Sequence, residues 1–301
     1  MIYNVAAGIL RALGNSKTPF KFLVVTNIMN ICLDLLFVAV FQFGVAGAAV
    51  ATVLSQITSG ILIFITLQRT NLPCRIYIKK LKFHKTHLRR IFTLGLPIAI
   101  QSILYPISNT VIQASINSFG VNHIAAWAVC GKLDFLVWII SAAFASAIST
   151  FVAQNYGAKN LKRARKGVLI GSILTGGLMA IIGFILYVWH VPLSKFVVDD
   201  AEVVGILTDI IHLIAPLYLV YCFTDILPGA IQGTGESKLP MLITLTGMCL
   251  LRVLWIVLVV PKKTTFMTAM FSYPLSWVVT AFMLLIYYYM RMSKLKRLQL
   301  K

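Results

Sequence analysis

The sequence predicts an all-α integral membrane protein built as a parallel, two-lobe internal repeat whose N-terminal lobe is incomplete. Three observations lead there. Apolar residues make up 59% of the 301-residue chain and charged residues only 12%, and mean hydropathy is +0.89, a balance typical of polytopic membrane proteins. Eight apolar stretches are long enough to cross about 30 Å of hydrocarbon, which takes about 20 helical residues. Finally, residues 8–19 (GILRALGNSKTP) return as residues 229–240 (GAIQGTGESKLP). Gly8, Gly14, Ser16, Lys17 and Pro19 recur as Gly229, Gly235, Ser237, Lys238 and Pro240, and the register holds without a gap to Leu54–Ser55 against Leu275–Ser276. A parallel repeat of membrane helices is the sequence sign of a secondary transporter with its substrate site between the halves.

The elements follow in order. Residues 1–10 read as the end of a truncated helix, and the first repeated turn leads into spans at 20–40 and 45–67. After a polar loop come spans at 91–118, which carries Pro97 and Pro106 and is expected to bend, and at 122–153. The span at 166–189 contains Gly171, Gly176 and Gly177, a small-residue face suited to close helix packing. Spans at 203–231, 239–260 and 265–290 complete the set. None shows the two-residue alternation of a membrane β-barrel. The expected organisation is an N-terminal lobe remnant at 1–67, an inter-lobe loop at 68–90, a C-terminal lobe at 91–290 and a basic tail at 291–301. The partner of Leu88 in the first copy would lie well before Met1, so the chain reads as the C-terminal part of a longer protein.

A net charge of +19 invites a nucleic-acid reading, but its distribution is topological. Of 27 basic residues, 22 fall on alternate loops, including Lys79, Lys80, Lys82, Arg89 and Arg90, whereas the intervening loops hold only Lys195, Lys262 and Lys263. This positive-inside pattern places the 68–90 loop and the C-terminus in the cytoplasm of a multi-pass cell-membrane protein. The partners it implies are the lipid bilayer and no nucleic acid. The five cysteines lack metal-ligand or C-x-x-C spacing and read as small packing residues. No P-loop, nucleophile–base pair or metal cluster points to an enzyme, and no cofactor is implied.

The G-x5-G-x-S-K-x-P element reads as a structural turn. Gly14 and Gly235 suit a left-handed helix stop, Ser16 or Thr18 can cap the next helix, and Pro19 sits in a first turn where no hydrogen bond is lost. With N-I-x-N-I-x-L-D (Asn27 to Asp34), G-V-A-G-A-A-V-A-T-V-L-S-Q (Gly44 to Gln56), G-L-P-I-A-I-Q (Gly95 to Gln101), I-N-S-F-G (Ile116 to Gly120) and S-T-F-V-A-Q-N-Y-G-A (Ser149 to Ala158), the sequence resembles the multidrug and toxic compound extrusion (MATE) family over essentially its whole length. The resemblance implies two lobes of six helices, the present spans being the fifth to the twelfth. It also implies export of small organic, often cationic compounds in exchange for sodium ions or protons.

Ionisable residues within spans are costly and therefore functional candidates. Asp34, Lys132, Asp134, Asp225 and Arg252 qualify. Asp225, Asp134 and Asp34 are the candidate ion-coupling residues. Asn27, Asn30 and Asp34 share a helix face, which suits an interhelical hydrogen-bond cluster as well as an ion site. Lys132 and Asp134, two residues apart, point to different faces and need separate partners. Asp225 aligns with Asn4 of the first copy, an asymmetry that favours a site over a scaffold role. On the span at 91–118, Gln101, Tyr105, Asn109 and Gln113 recur every fourth residue, a stripe that faces either a substrate cleft or a packed neighbour. Tyr221 joins them as a cleft candidate. No Asp or Glu occurs from Leu88 to Gly120, where some family members carry a carboxylate. A flippase for lipid-linked oligosaccharide is the alternative within transport, although only Lys132 and Arg252 supply cations within the spans. A non-transporting accessory or structural membrane subunit is the alternative outside it.

Overall fold

The computed structural model describes all residues except 71–73, 78, 80–81 and 300–301, and only the backbone at 298–299. Lys80 and Lys301 of the basic segments thus lie outside the described residues. Among the described residues, eight helical spans are long and apolar enough to cross a membrane. They belong to two compact units, Met1–His84 and Lys85–Lys301.

The first unit holds α1 (Ile2–Ala12), α2 (Lys17–Asp34) running into a π turn at Leu35–Val40, and α3 (Gly44–Arg69). Along α3 the buried face is Gly47, Ala51, Ser55, Ser59, Ile63 and Leu67, one residue per turn and mostly small. Small side chains let helix backbones approach where lipid offers no hydrophobic drive to association. Ala6, Ala7 and Leu10 of α1 form a small core with Ile63 and Leu67. Between α1 and α2, Gly14 takes φ +84°, the left-handed stop expected of it. The cap differs from expectation. Asn15 Oδ1 accepts from the Thr18 amide at 3.1 Å, while Ser16 makes no side-chain cap bond. The short Asn side chain three residues before the amide has the reach of an N-cap acceptor.

The second unit holds α4 (Lys85–Asn117), α5 (Val121–Gly157), α6 (Leu161–Ser194), α7 (Ala201–Ile214), α8 (Tyr218–Gln232), α9 (Lys238–Thr244), α10 (Leu251–Leu258), α11 (Phe266–Met270) and α12 (Ser272–Gln299). A π turn at Leu245–Leu250 joins α9 to α10. Pro97 and Pro106 lie inside an uninterrupted α4. The breaks fall elsewhere: α6 leaves helical geometry at Trp189 (φ −111°, ψ 17°), and α7 gives way to α8 through a 3-10 turn at Ala215–Leu217 that contains Pro216. Proline lacks the amide that would continue the helix. Gly183 of α6 lets that turn come close, since a Cβ there would stand 2.8 Å from the Ala215 carbonyl oxygen.

The organising contact is the seam between α5 and α8. Asp134 meets Tyr218, Ser141 meets Asp225, and Ala145 and Ser149 meet Gly229 and Gly233. Each pair is separated by the same 84 residues, so the two helices run parallel in one register over roughly 22 Å at 1.5 Å per residue. A Cβ on Gly229 or Gly233 would lie 2.7 Å from the Ala145 or Ser149 carbonyl oxygen. G-A-I-Q-G, residues 229–233, is thus a G-x-x-x-G contact of the kind that brings membrane helices together.

Candidate functional site

The glycine end of the seam holds α5 and α8 close together, and the other end uses that proximity for polar chemistry. Asp134 is 3% exposed. Its carboxylate accepts from the Tyr218 hydroxyl and from the Cys130 thiol one turn earlier at 3.5 Å. Tyr218 opens α8 immediately after the Pro216 break, so the interruption sets where that hydroxyl points. Two turns on, Asp225 Oδ2 accepts from Ser141 Oγ at 2.7 Å, and Tyr221, one turn before it, is a second side-chain partner. Asp225 is only partly buried, whereas Asp134 is sealed. Both carboxylates are therefore held by neutral donors, and neither forms a salt bridge among the described residues. A carboxylate removed from water without a cation is stabilised by gaining a proton or a metal ion.

Aromatic rings wall this region. The Trp277 ring lies 5.2 Å from Tyr221, 6.1 Å from Tyr218 and 6.3 Å from Tyr273, and Trp127 lies 4.9 Å from Tyr273. Arg252, 1% exposed, sits 4.3 Å from the centre of the Tyr273 ring, a cation–π distance. Its Nε donates to Ser276 Oγ at 2.6 Å and its Nη2 faces Met248 Sδ at 3.7 Å. Arg252 Nη1 and Trp277 Nε1 have no protein partner. Among the described residues, Arg252 and Asp134 are thus sealed and Asp225 half-buried in this unit without an ion pair between them.

The structure brings only some of the sequence candidates together. Asp134, Asp225 and Tyr221 share the seam, and Tyr105 of α4 is half-buried and packs against the core of the same unit. Gln101, Asn109 and Gln113 lie half-buried along α4, and Gln113 donates to Asn117 on its own helix at 2.9 Å. Lys132 is exposed. Asp34 belongs to the other unit, where Asn27 and Asn30, with Asn4 and Gln56, line a cavity of about 970 Å³. Asp34 is not in that lining, and one of its carboxylate oxygens is buried without a partner. Ser141, Tyr218, Tyr273, Ser276 and Trp277 were not among the candidates. Nothing local marks Ser141, whose role comes from a neighbour 84 residues away.

A bundle of membrane-length helices, one broken by a 3-10 turn, with a sealed carboxylate held by the first tyrosine after the break, defines a polytopic helical membrane protein. The sequence model of the MatE family matches residues 97–258, and the chain belongs to that family. It is 26% identical over 254 residues to the probable multidrug resistance protein YoeA of Bacillus subtilis, covering 81% of this chain and 54% of that protein. To the probable multidrug resistance protein NorM of Thermotoga maritima it is 25% identical over 250 residues, covering 81% of this chain and 53% of that protein. The chain therefore spans about half the length of these curated relatives. A solved MATE structure in the bent conformation superposes with a TM-score of 0.92 at 19% identity, covering all of this chain and 67% of that one. An outward-facing multidrug resistance MATE transporter gives 0.90 at 21% identity, covering 98% and 66%.

Proposed function

We propose that this chain is part of a secondary antiporter that exports small organic, drug-like compounds, cationic ones included, in exchange for sodium ions or protons. The observation that carries this reading is the pair of acids on the α5–α8 seam, each held by hydroxyl or thiol donors and neither by a cation. Such a site changes charge when it gains or loses a proton or sodium ion, and one charge crossing the membrane is worth about 2.3 kcal/mol per 100 mV. Asp225 is the principal coupling residue because it keeps access to its surroundings, with Asp134 behind it and Asp34 the candidate of the other unit. Tyr221 and Tyr105, with Gln101, Asn109 and Gln113, form the substrate-contacting set, and the basic loops and C-terminus face the cytoplasm.

The test is exchange of a fluorescent organic cation against an imposed sodium or proton gradient in proteoliposomes, with thermal unfolding measured alongside. Asp225→Asn is expected to abolish coupled exchange while leaving the unfolding midpoint close to wild type, because the amide still accepts from Ser141. Retained exchange removes Asp225 from the mechanism, and lost stability assigns it a structural role.

A further inference from the structure

Away from the acidic seam, α6, α8 and α12 enclose a groove of about 540 Å³. The sequence led us to expect close packing at Gly171, Gly176 and Gly177. Only Gly171 behaves so, as a Cβ there would press on Ile148 at 2.6 Å. A Cβ on Gly176 would find Leu219 at 3.9 Å, and one on Gly177 would meet nothing within 4 Å. These two glycines form the floor of the groove, between walls that include Leu219, Phe223 and Leu285. One end has a different chemistry. Arg165 and Lys166, exposed in the second turn of α6, close the groove together with Tyr288 and Tyr289 of α12.

We propose that this groove binds one anionic phospholipid, with its phosphate at Arg165 and Lys166 and an acyl chain laid along Gly176 and Gly177. Length and charge both support that occupant. From Arg165 to Gly177 the helix rises roughly 18 Å, close to one leaflet's half of about 30 Å of hydrocarbon. Basic pockets between membrane helices on the basic-loop side recognise anionic headgroups, and tyrosines settle at the same depth. A zwitterionic lipid brings its own ammonium group, which the two cations repel. The orientation proposed above enters only in naming the cytoplasmic leaflet as the source of the lipid. Binding in detergent is independent of it, so the two ideas fail separately.

The experiment is native mass spectrometry of the purified chain titrated with phosphatidylglycerol or phosphatidylcholine of identical acyl chains. Wild type is expected to prefer phosphatidylglycerol by roughly thirtyfold, the scale set by two basic residues near a membrane surface. Arg165→Gln with Lys166→Gln is expected to bring the two lipids to near parity. Gly177→Leu, which fills open space without a backbone clash, is expected to lower retention of both lipids while circular dichroism stays unchanged and the unfolding midpoint stays at or slightly above wild type. Equal retention of the two lipids by wild type overturns the proposal, as does unaltered phosphatidylglycerol binding in either variant. Loss of a dimer instead of a lipid in Gly177→Leu would assign the groove to a second copy of the chain and overturn it as well.

Discussion

Gly229→Ala tests the α5–α8 seam most directly. The added Cβ would stand 2.7 Å from the Ala145 carbonyl oxygen and 3.4 Å from its carbon. Both obstacles are backbone, so no side chain can rotate away. Restoring an ordinary contact requires the helices to part by about half an ångström or more. Overpacking of that kind costs about 1–3 kcal/mol. Alanine regains about 0.5–1 kcal/mol over glycine within a helix, which leaves a net loss of up to about 2.5 kcal/mol. At about 2–4 °C per kcal/mol for a unit of this size, the unfolding midpoint is expected to fall by up to roughly 10 °C. Gly205→Ala on α7 is the control, since its Cβ meets nothing within 4 Å and only the helix gain applies. Intrinsic tryptophan fluorescence during heating in detergent reads both variants. The parting also strains the Ser141–Asp225 bond one turn away, now 2.7 Å, so the coupled exchange proposed for this seam should weaken with stability. If Gly229→Ala unfolds at or above the temperature of Gly205→Ala, the steric account of the seam is wrong.

Asn15→Ala removes the acceptor of the Thr18 amide and is expected to cost about 1 kcal/mol, seen as earlier melting of the first unit in hydrogen exchange; unchanged protection at α2 would refute the cap. Arg252→Met is expected to leave stability at or above wild type, because a buried cation without a carboxylate gains from replacement by an apolar chain of similar length. A loss beyond about 2 kcal/mol in chemical denaturation would show that the Ser276 hydroxyl and the Tyr273 ring more than offset the burial of the charge. For orientation, Lys82→Cys and Lys296→Cys in a background with the five native cysteines replaced should resist an impermeant maleimide added outside intact cells. Labelling of either reverses the proposed topology.

The spans and the repeat were open to sequence reasoning because each is a local property. Hydropathy is summed over about 20 neighbouring residues, and the left-handed stops at Gly14 and Gly235, at φ +84° and +81°, follow from glycine's missing Cβ. The cap was misassigned to Ser16 or Thr18 because Asn15 competes for the same amide from one residue earlier, a choice decided by rotamer geometry. Asp134 and Asp225 stood out as expensive residues. Their partners Tyr218 and Ser141 did not, because a parallel seam in constant register leaves no mark on either helix alone. Gly176 and Gly177 had the composition of a packing face, and only the path of α8 and α12 determined that they border open space.

The two π turns have a consequence for the internal symmetry. Each accommodates one extra residue per ring, so side chains beyond it are turned by about 100° relative to an uninterrupted helix. They fall at Leu35–Val40 in the first repeat and at Leu245–Leu250 in the second, and the 221-residue offset does not superimpose them. By sequence, Arg252 corresponds to Ile31, yet Arg252 is 1% exposed and Ile31 is 59% exposed. Advancing the match by one residue, as the turn requires, sets Arg252, beyond the turn, against Asn30, and Met248, within it, against Thr26. Met248 and Thr26 are both buried, and Arg252 and Asn30 each carry a buried nitrogen without a partner. Past the bulge, the halves correspond by face and no longer by alignment, so residues should be exchanged between them by face.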